Sequence, residues 1–167
     1  ARRCVEETAY GTLFIAKDNA DGQIVLSGEI NAIDYLCENF KSVGVKRAIK
    51  LPVSAPFHCQ LINKASIAMK EEIPNYSFNP FTVPLYSNVT SKVCNEKEIA
   101  NLLVEQITSK VRWREIVENM IKDGVQNFIE IGPGNVLTNL VKRASKDLIA
   151  ISISKIEDFD KLDNIKL

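Results

Sequence analysis

Short stretches of alternating apolar and polar residues open the chain and then give way to helical periods. Thr12 to Ala16, TLFIA, reads as a strand, and so does GQIVLSG over 22–28. The link KDNAD ends in Asp21-Gly22. That dipeptide suits a tight turn because glycine accepts a positive φ, so the two strands are expected to form a hairpin. In EINAIDYLCENFKSVG, apolar residues fall at Ile30, Ile33, Leu36, Cys37 and Phe40, a spacing that predicts an amphipathic helix. Lys41 and Gly44 suit its C-terminus. VKRAIKLPV, 45–53, alternates again and is expected to be a strand ending at a proline. A short helix is expected around Cys4–Thr8. The order helix, strand, strand, helix, strand is that of a β-α-β-β-α-β ferredoxin-like unit without its first strand.

The texture changes from Cys59. CQLINKASIAMKEEI reads as a helix closed by Pro74, and a short buried strand is expected over 84–88. Asn95 can cap the next helix while Glu98, three residues on, reaches back to it. Ile99, Leu102, Leu103 and Ile107 form that helix's inner stripe. VRWREIVENMIKDG is a further helix, with Val117, Met120 and Ile121 inward and Gly124 as terminator. VQNFIEIG is a strand, GPGN turns it into the helix NVLTNLVKRAS, and LIAISIS closes as a strand. Helices alternating with short hydrophobic strands predict an α/β architecture with a parallel sheet. The charged end, KIEDFDKLDNIKL, is expected to be peripheral or a terminal helix. Domain organisation follows: a small unit over 1–54, then part of a larger α/β unit over 55–167.

Composition narrows the function. The net formal charge of the 167 residues is zero and no basic block occurs, which argues against a nucleic-acid partner. No apolar run reaches membrane-spanning length. The four cysteines form no C-x-x-C and have no second histidine near them, so no metal site is expected. They read as reduced thiols of an intracellular, cytoplasmic protein. The start, ARRCVEETAYG, has neither an initiator methionine nor the look of a signal peptide, and reads as the middle of something longer.

Two motifs carry candidate chemistry. In FIEIGPGNVLT, Gly132 and Gly134 allow a sharp strand-to-helix turn. The new helix points free N–H groups at the loop, where an anion can sit; a tight turn and nothing more is the other reading. The stretch is not a dinucleotide fingerprint, since position 137 is leucine. His58, in LPVSAPFHCQL, is the only histidine. It is either a satisfied structural residue or a general base, for which an ordinary pKa of about 6.5 suits it. Pro52 and Pro56 stiffen its segment, which lies where the small unit ends and the larger one begins, and clefts form at such junctions.

LPVSAPFHC, VPLYSNV, VEQITSKVRWRE, FIEIGPGNVLTNLVKR and NADGQIVLSG, in these positions, resemble the malonyl-CoA:acyl carrier protein transacylases over nearly the whole chain. The resemblance implies a ferredoxin-like small subdomain set into a hydrolase-like α/β domain. It implies transfer of malonyl from coenzyme A, through a serine ester, to the phosphopantetheine thiol of acyl carrier protein, with no cofactor beyond those substrates. His58 matches the family's catalytic histidine. Gln106 matches the glutamine whose backbone carbonyl accepts that histidine's N–H; otherwise it is a polar residue late in a helix. Arg47 and Arg143 match basic positions at the cleft mouth, suited to coenzyme A or phosphopantetheine phosphates, or are solvated surface. Asn19 matches an asparagine of an N-x-N-x-x-G-Q loop, although the first asparagine of that pattern is Lys17 here, and a hairpin-turn role is its alternative. Phe57 would wall the acyl pocket or belong to the core.

No G-x-S-x-G occurs in the chain. In the family the nucleophile elbow lies N-terminal to all of these residues. The resemblance therefore implies a C-terminal portion that lacks its N-terminal part and is inactive alone. The alternatives are an acyltransferase segment of a modular polyketide or fatty acid synthase, and a non-catalytic fragment that binds the carrier protein.

Overall fold

The computed structural model describes residues 5–165. Three antiparallel strands come first, β1 (Val5–Thr8), β2 (Gly11–Ala20) and β3 (Gln23–Gly28), in the order β1-β2-β3. Asp21 and Gly22 join β2 to β3, with Ala20 paired to Gln23 and Gly22 at a φ of 71°. The helix expected around Cys4–Thr8 is not formed: Cys4 lies outside the described residues, and from Val5 the chain pairs with β2 in register Val5↔Phe14 to Thr8↔Gly11. So short a helix cannot repay its own nucleation, whereas the free edge of β2 offers a ready ladder.

Helix α1 (Ile30–Asn39) packs on β2 and β3. The pairing of β3 with β2 requires glycine at 28, where a Cβ would meet the Thr12 carbonyl oxygen at 2.4 Å. Ala32 is buried and Ile33, Leu36, Cys37 and Phe40 are half-buried, so the expected stripe faces inward except at its first residue, Ile30, which is exposed. The strand expected over 45–53 is also absent. Its alternating Val45, Ile49, Leu51 and Val53 are exposed, and no described residue forms a ladder with them. An alternating pattern becomes a strand only where a partner lies alongside.

The second half begins with a 3-10 turn at Gln60–Ile62 and α2 (Asn63–Glu72), ended by a 3-10 turn holding Pro74. The strand expected at 84–88 is reduced to β4 (Leu85–Tyr86), paired antiparallel with β5 (Val93–Cys94). Asn95 and Glu98 form the expected reciprocal cap: the Asn95 side chain accepts from the Glu98 N–H at 3.2 Å, and the Glu98 carboxylate accepts from the Asn95 N–H at 3.0 Å. They lead into α3 (Ile99–Thr108), then α4 (Trp113–Lys122), β6 (Asn127–Ile131), α5 (Val136–Ala144), β7 (Ile149–Ile153) and a 3-10 helix at Ile156–Asn164. β6 and β7 run parallel, from Asn127↔Ile149 to Ile131↔Ile153. Val117, Val141 and Ala150 make the core beneath them, with Trp113, Ile121 and Phe128 packed around it. On the other face Ile129, Ile131 and Ile149 stand exposed. Parallel sheets are ordinarily covered on both faces, so this apolar face is one that a second layer would suit.

The GPGN turn carries its own anion. The Glu130 carboxylate accepts from the N–H groups of Leu137 at 3.1 Å and Thr138 at 2.8 Å, filling the N-terminus of α5. Burial pushes this carboxyl up, but the N–H and hydroxyl of Thr138 and the N–H of Leu137 outweigh it and hold the pKa below its ordinary value.

β2 runs past the end of β1, and the edge freed there meets the second half while its other edge stays paired with β3. Lys17 forms a parallel bridge with Val111: the Asp18 N–H donates to the Val111 carbonyl at 2.9 Å, and the Val111 N–H to the Ala16 carbonyl at 2.8 Å. Beside this bridge the buried Asp18 carboxylate takes a forked contact from the Arg114 guanidinium, at 3.2 and 2.9 Å, while Arg114 also reaches Glu118. Those contacts hold the Arg114 pKa above its ordinary value.

Asp18→Ala leaves Arg114 without its buried partner. We predict a loss of about 3–5 kcal/mol in unfolding free energy, measured by urea titration; a loss under about 1 kcal/mol would show that the pair does not hold the two halves together. For Glu130 the lowered pKa means that its stabilisation is complete above the ordinary carboxylate range and fades as pH falls through the lowered value. Glu130→Gln should therefore cost about 1 kcal/mol at neutral pH. That difference should begin to shrink as pH falls below the ordinary carboxylate range and close only below the lowered value, and a pH-independent difference would contradict the charged cap.

Candidate active site

The segment Leu51–Cys59 crosses from the small antiparallel unit to α2 as a string of turns. The Phe57 N–H donates to the Ala55 carbonyl at 3.0 Å, and the Cys59 thiol donates to the Pro56 carbonyl at 3.0 Å. The Ser27 hydroxyl, near the end of β3, donates to the Phe57 carbonyl at 2.7 Å. Between these contacts His58 adopts a left-handed backbone, with φ of 60°. For a residue with a Cβ that conformation costs about 1–2 kcal/mol, so it persists only where its surroundings impose it.

The half-buried His58 ring meets the end of α3. Gln106 lies in the last turn of that helix, where carbonyl groups have no amide one turn onward. Its carbonyl oxygen is 3.0 Å from His58 Nδ1. A carbonyl only accepts, so Nδ1 carries a proton, and in the neutral ring Nε2 keeps a lone pair. A neutral acceptor thus fixes the tautomer of the ring, the task a carboxylate performs in serine-protease triads.

The Gln106 side chain is held in turn. Its Oε1 accepts from Asn88 Nδ2 at 3.3 Å, and the Asn88 carbonyl accepts from the Arg112 N–H at 3.4 Å. The Arg112 guanidinium reaches the Val89 carbonyl at 3.1 Å and forks onto the Glu115 carboxylate. Arg112 holds the Glu115 carboxyl below its ordinary pKa and is itself raised by it. Neither Asn88 nor Arg112 stands out in the sequence as a site residue, because the contacts Asn88–Gln106 and Arg112–Val89 join residues far apart in the chain.

The other expected residues stand on separate elements. Phe57 is half exposed beside His58. Asn19 sits at a bulge in β2 between the paired residues Asp18 and Ala20. Arg143, in the last turn of α5, donates to the Gln23 side chain at the hairpin turn. Arg47 is exposed in the irregular stretch after α1. Among the described residues no hydrogen bond joins Arg47, Asn19 or Arg143 to His58 or Gln106. Cys59 is 1% exposed, and burial pushes its thiol pKa up, which disfavours the thiolate. A cavity of about 350 Å³ bordered by Lys92, Cys94 and Leu102 includes neither His58 nor Gln106. No group of three or more possible metal ligands occurs among the described residues, and none of their helices is long and apolar enough to cross a membrane.

No model of a known protein family matches the chain. Individual proteins do. Malonyl CoA-acyl carrier protein transacylase of Bacillus subtilis is 41% identical over 147 residues, 87% of this chain and 46% of that protein. The Escherichia coli K12 protein of the same name is 38% identical over 157 residues, 93% of this chain and 50% of that protein. The crystal structure of the transacylase of Clostridium perfringens superposes with a TM-score of 0.88 at 37% identity, over 95% of this chain and 50% of that one. A malonyl-transacylase in complex with a type II PKS acyl-carrier protein gives 0.85 at 34% identity, over 92% of this chain and 50% of that one. The chain thus spans about half the length of the curated relatives it matches. In sequence and in fold the chain is similar to about half of the length of the malonyl CoA-acyl carrier protein transacylases.

Proposed function

We propose that this chain supplies the general base and one wall of the cleft for transfer of malonyl from malonyl-CoA to the phosphopantetheine thiol of acyl carrier protein. The observation that carries the reading is the His58 ring, with Nδ1 on the Gln106 carbonyl and Nε2 left to take a proton. The relatives' names supply the substrates, and the solved complex of a relative with an acyl-carrier protein supports the partner. In this reading residues 1–54 are the small ferredoxin-like unit and 55–167 are part of a hydrolase-like α/β domain. The free thiols of Cys37, Cys59 and Cys94 accord with a reducing, cytoplasmic setting.

The sequence has no G-x-S-x-G, and the buried Cys59 thiol is a poor substitute. The serine is therefore assigned to polypeptide outside these residues. The exposed face of Ile129, Ile131 and Ile149, and the exposed stretch from Val45 to Val53, are apolar surfaces such a piece would cover. In the first step the serine hydroxyl gives its proton to His58 Nε2 and its oxygen bonds the malonyl carbonyl carbon. The thioester C–S bond breaks, and the thiolate of coenzyme A takes the proton back from the ring. In the second step the phosphopantetheine thiol loses its proton to Nε2 and attacks the ester, and the serine leaves with that proton. The ring ends each step as it began, so no cofactor is needed. Arg47 and Arg143 would meet the phosphates of the two carriers, and Phe57 and Asn19 would line the acyl end.

We predict that His58→Ala, with the serine-bearing segment supplied, lowers transfer by about 10²–10⁴-fold, the usual worth of a positioned base. More than a third of the original rate would end the assignment. Arg47→Ala or Arg143→Ala should raise KM for malonyl-CoA or for carrier protein and leave kcat nearly unchanged, the pattern of lost uniform binding. A fall in kcat at constant KM would place either arginine in the transition state instead.

A further inference from the structure

We propose that Ser27 is a positioning residue for His58, a role that rests on the reading of His58 as the base. The Ser27 hydroxyl donates to the Phe57 carbonyl at 2.7 Å. That carbonyl belongs to the peptide bond leading into His58, and φ of His58 is the rotation between this peptide plane and the residue's own Cα. Pinning the plane therefore acts directly on the torsion that the structure shows in the left-handed region. The neighbouring contacts do not replace it. The Cys59 thiol, a weak donor, reaches the carbonyl one residue earlier, at Pro56. The Phe57 N–H reaches Ala55, on the far side of the phenylalanine.

Ser27 is also well placed to stay fixed. It sits in β3 opposite Phe14 of β2, the strand bridged to Val111 and paired to Arg114. Arg114 and Val111 follow closely on the end of α3, which carries Gln106. One rigid frame thus holds both ends of the contact: through Ser27 it sets the backbone of His58, and through Val111 it sets the carbonyl that the ring must reach. If the Phe57 peptide turns, the ring swings away from Gln106 and Nδ1 loses its acceptor. The two tautomers then compete freely, and the fraction with a bare Nε2 falls.

The chain holds a single histidine, so its ring can be watched alone. The full chain labelled with ¹⁵N, free or bound to an unlabelled serine-bearing segment, reports the two ring nitrogens of His58 by their NMR shifts. In the unsubstituted chain Nδ1–H should dominate. In Ser27→Ala the ratio of Nδ1–H to Nε2–H should fall by about 2- to 10-fold, the factor carried by one ordinary hydrogen bond. Ser27→Thr and Ser27→Val have nearly the same volume and differ in the hydroxyl. Thr should keep the original ratio and Val should lose it, which separates the hydrogen bond from packing even if the alanine variant folds poorly. Equal ratios in Thr and Val would overturn the role of Ser27 while leaving His58 as the base. A dominant Nε2–H in the unsubstituted chain would overturn both.

Discussion

An α-helix leaves its last carbonyls without amides, and everything proposed for this chain depends on where one of them points. Gln106 offers its carbonyl at the end of α3, and the side chain brought to it is His58. The two are 48 residues apart in sequence. Two independent pieces of backbone must therefore be held to within a hydrogen bond's tolerance, a few tenths of an ångström. The rest of the fold can be understood as the means of doing so.

The first means is β2. It runs past the end of β1 to bridge Val111 and carries Asp18, whose buried carboxylate locks onto Arg114. A buried pair of this kind is a weak source of net stability, because desolvation offsets most of the attraction. Its value is directional: the forked contact admits one seating of the hairpin against α4. The second means is the Asn88, Arg112 and Glu115 chain, which braces the Gln106 side chain and the 88–90 turn with charged and main-chain bonds. Tyr86, from β4, is tied in the same region to Asp123 at the end of α4. The candidate site thus sits where a hairpin, a helix end and a braced turn converge, and none of these alone would fix it.

Local signals in the sequence were legible where one residue type dictates a backbone conformation or one face is clearly apolar. The Asp21-Gly22 turn, the Asn95–Glu98 cap, and helices α3, α4 and α5 are of this kind. Strands were legible only where a partner happened to be nearby. The 45–53 stretch alternates well and pairs with nothing described, while Val5–Thr8 has little pattern and pairs because β2 is there. Glu130 lies within the FIEIGPGNVLT motif, yet its capping of α5 depends on the chain folding back over seven residues to Leu137. His58 could be singled out by its rarity and its prolines, but its chemistry was left open by the residues themselves. Gln106 entered only through resemblance, since a free main-chain carbonyl leaves no mark in an amino-acid sequence. Ser27 was invisible for the same reason.

The most direct test of the central claim, that this chain brings a base to a serine it does not contain, is the position of the acyl group. The chain would be combined with a polypeptide carrying the G-H-S-x-G segment, exposed to isotope-labelled malonyl-CoA and digested for mass spectrometry. The account predicts malonyl on the serine of that segment and none on these 167 residues. Malonyl on this chain, above all on Cys59 beside His58, would contradict it and point to a thiol enzyme complete in itself.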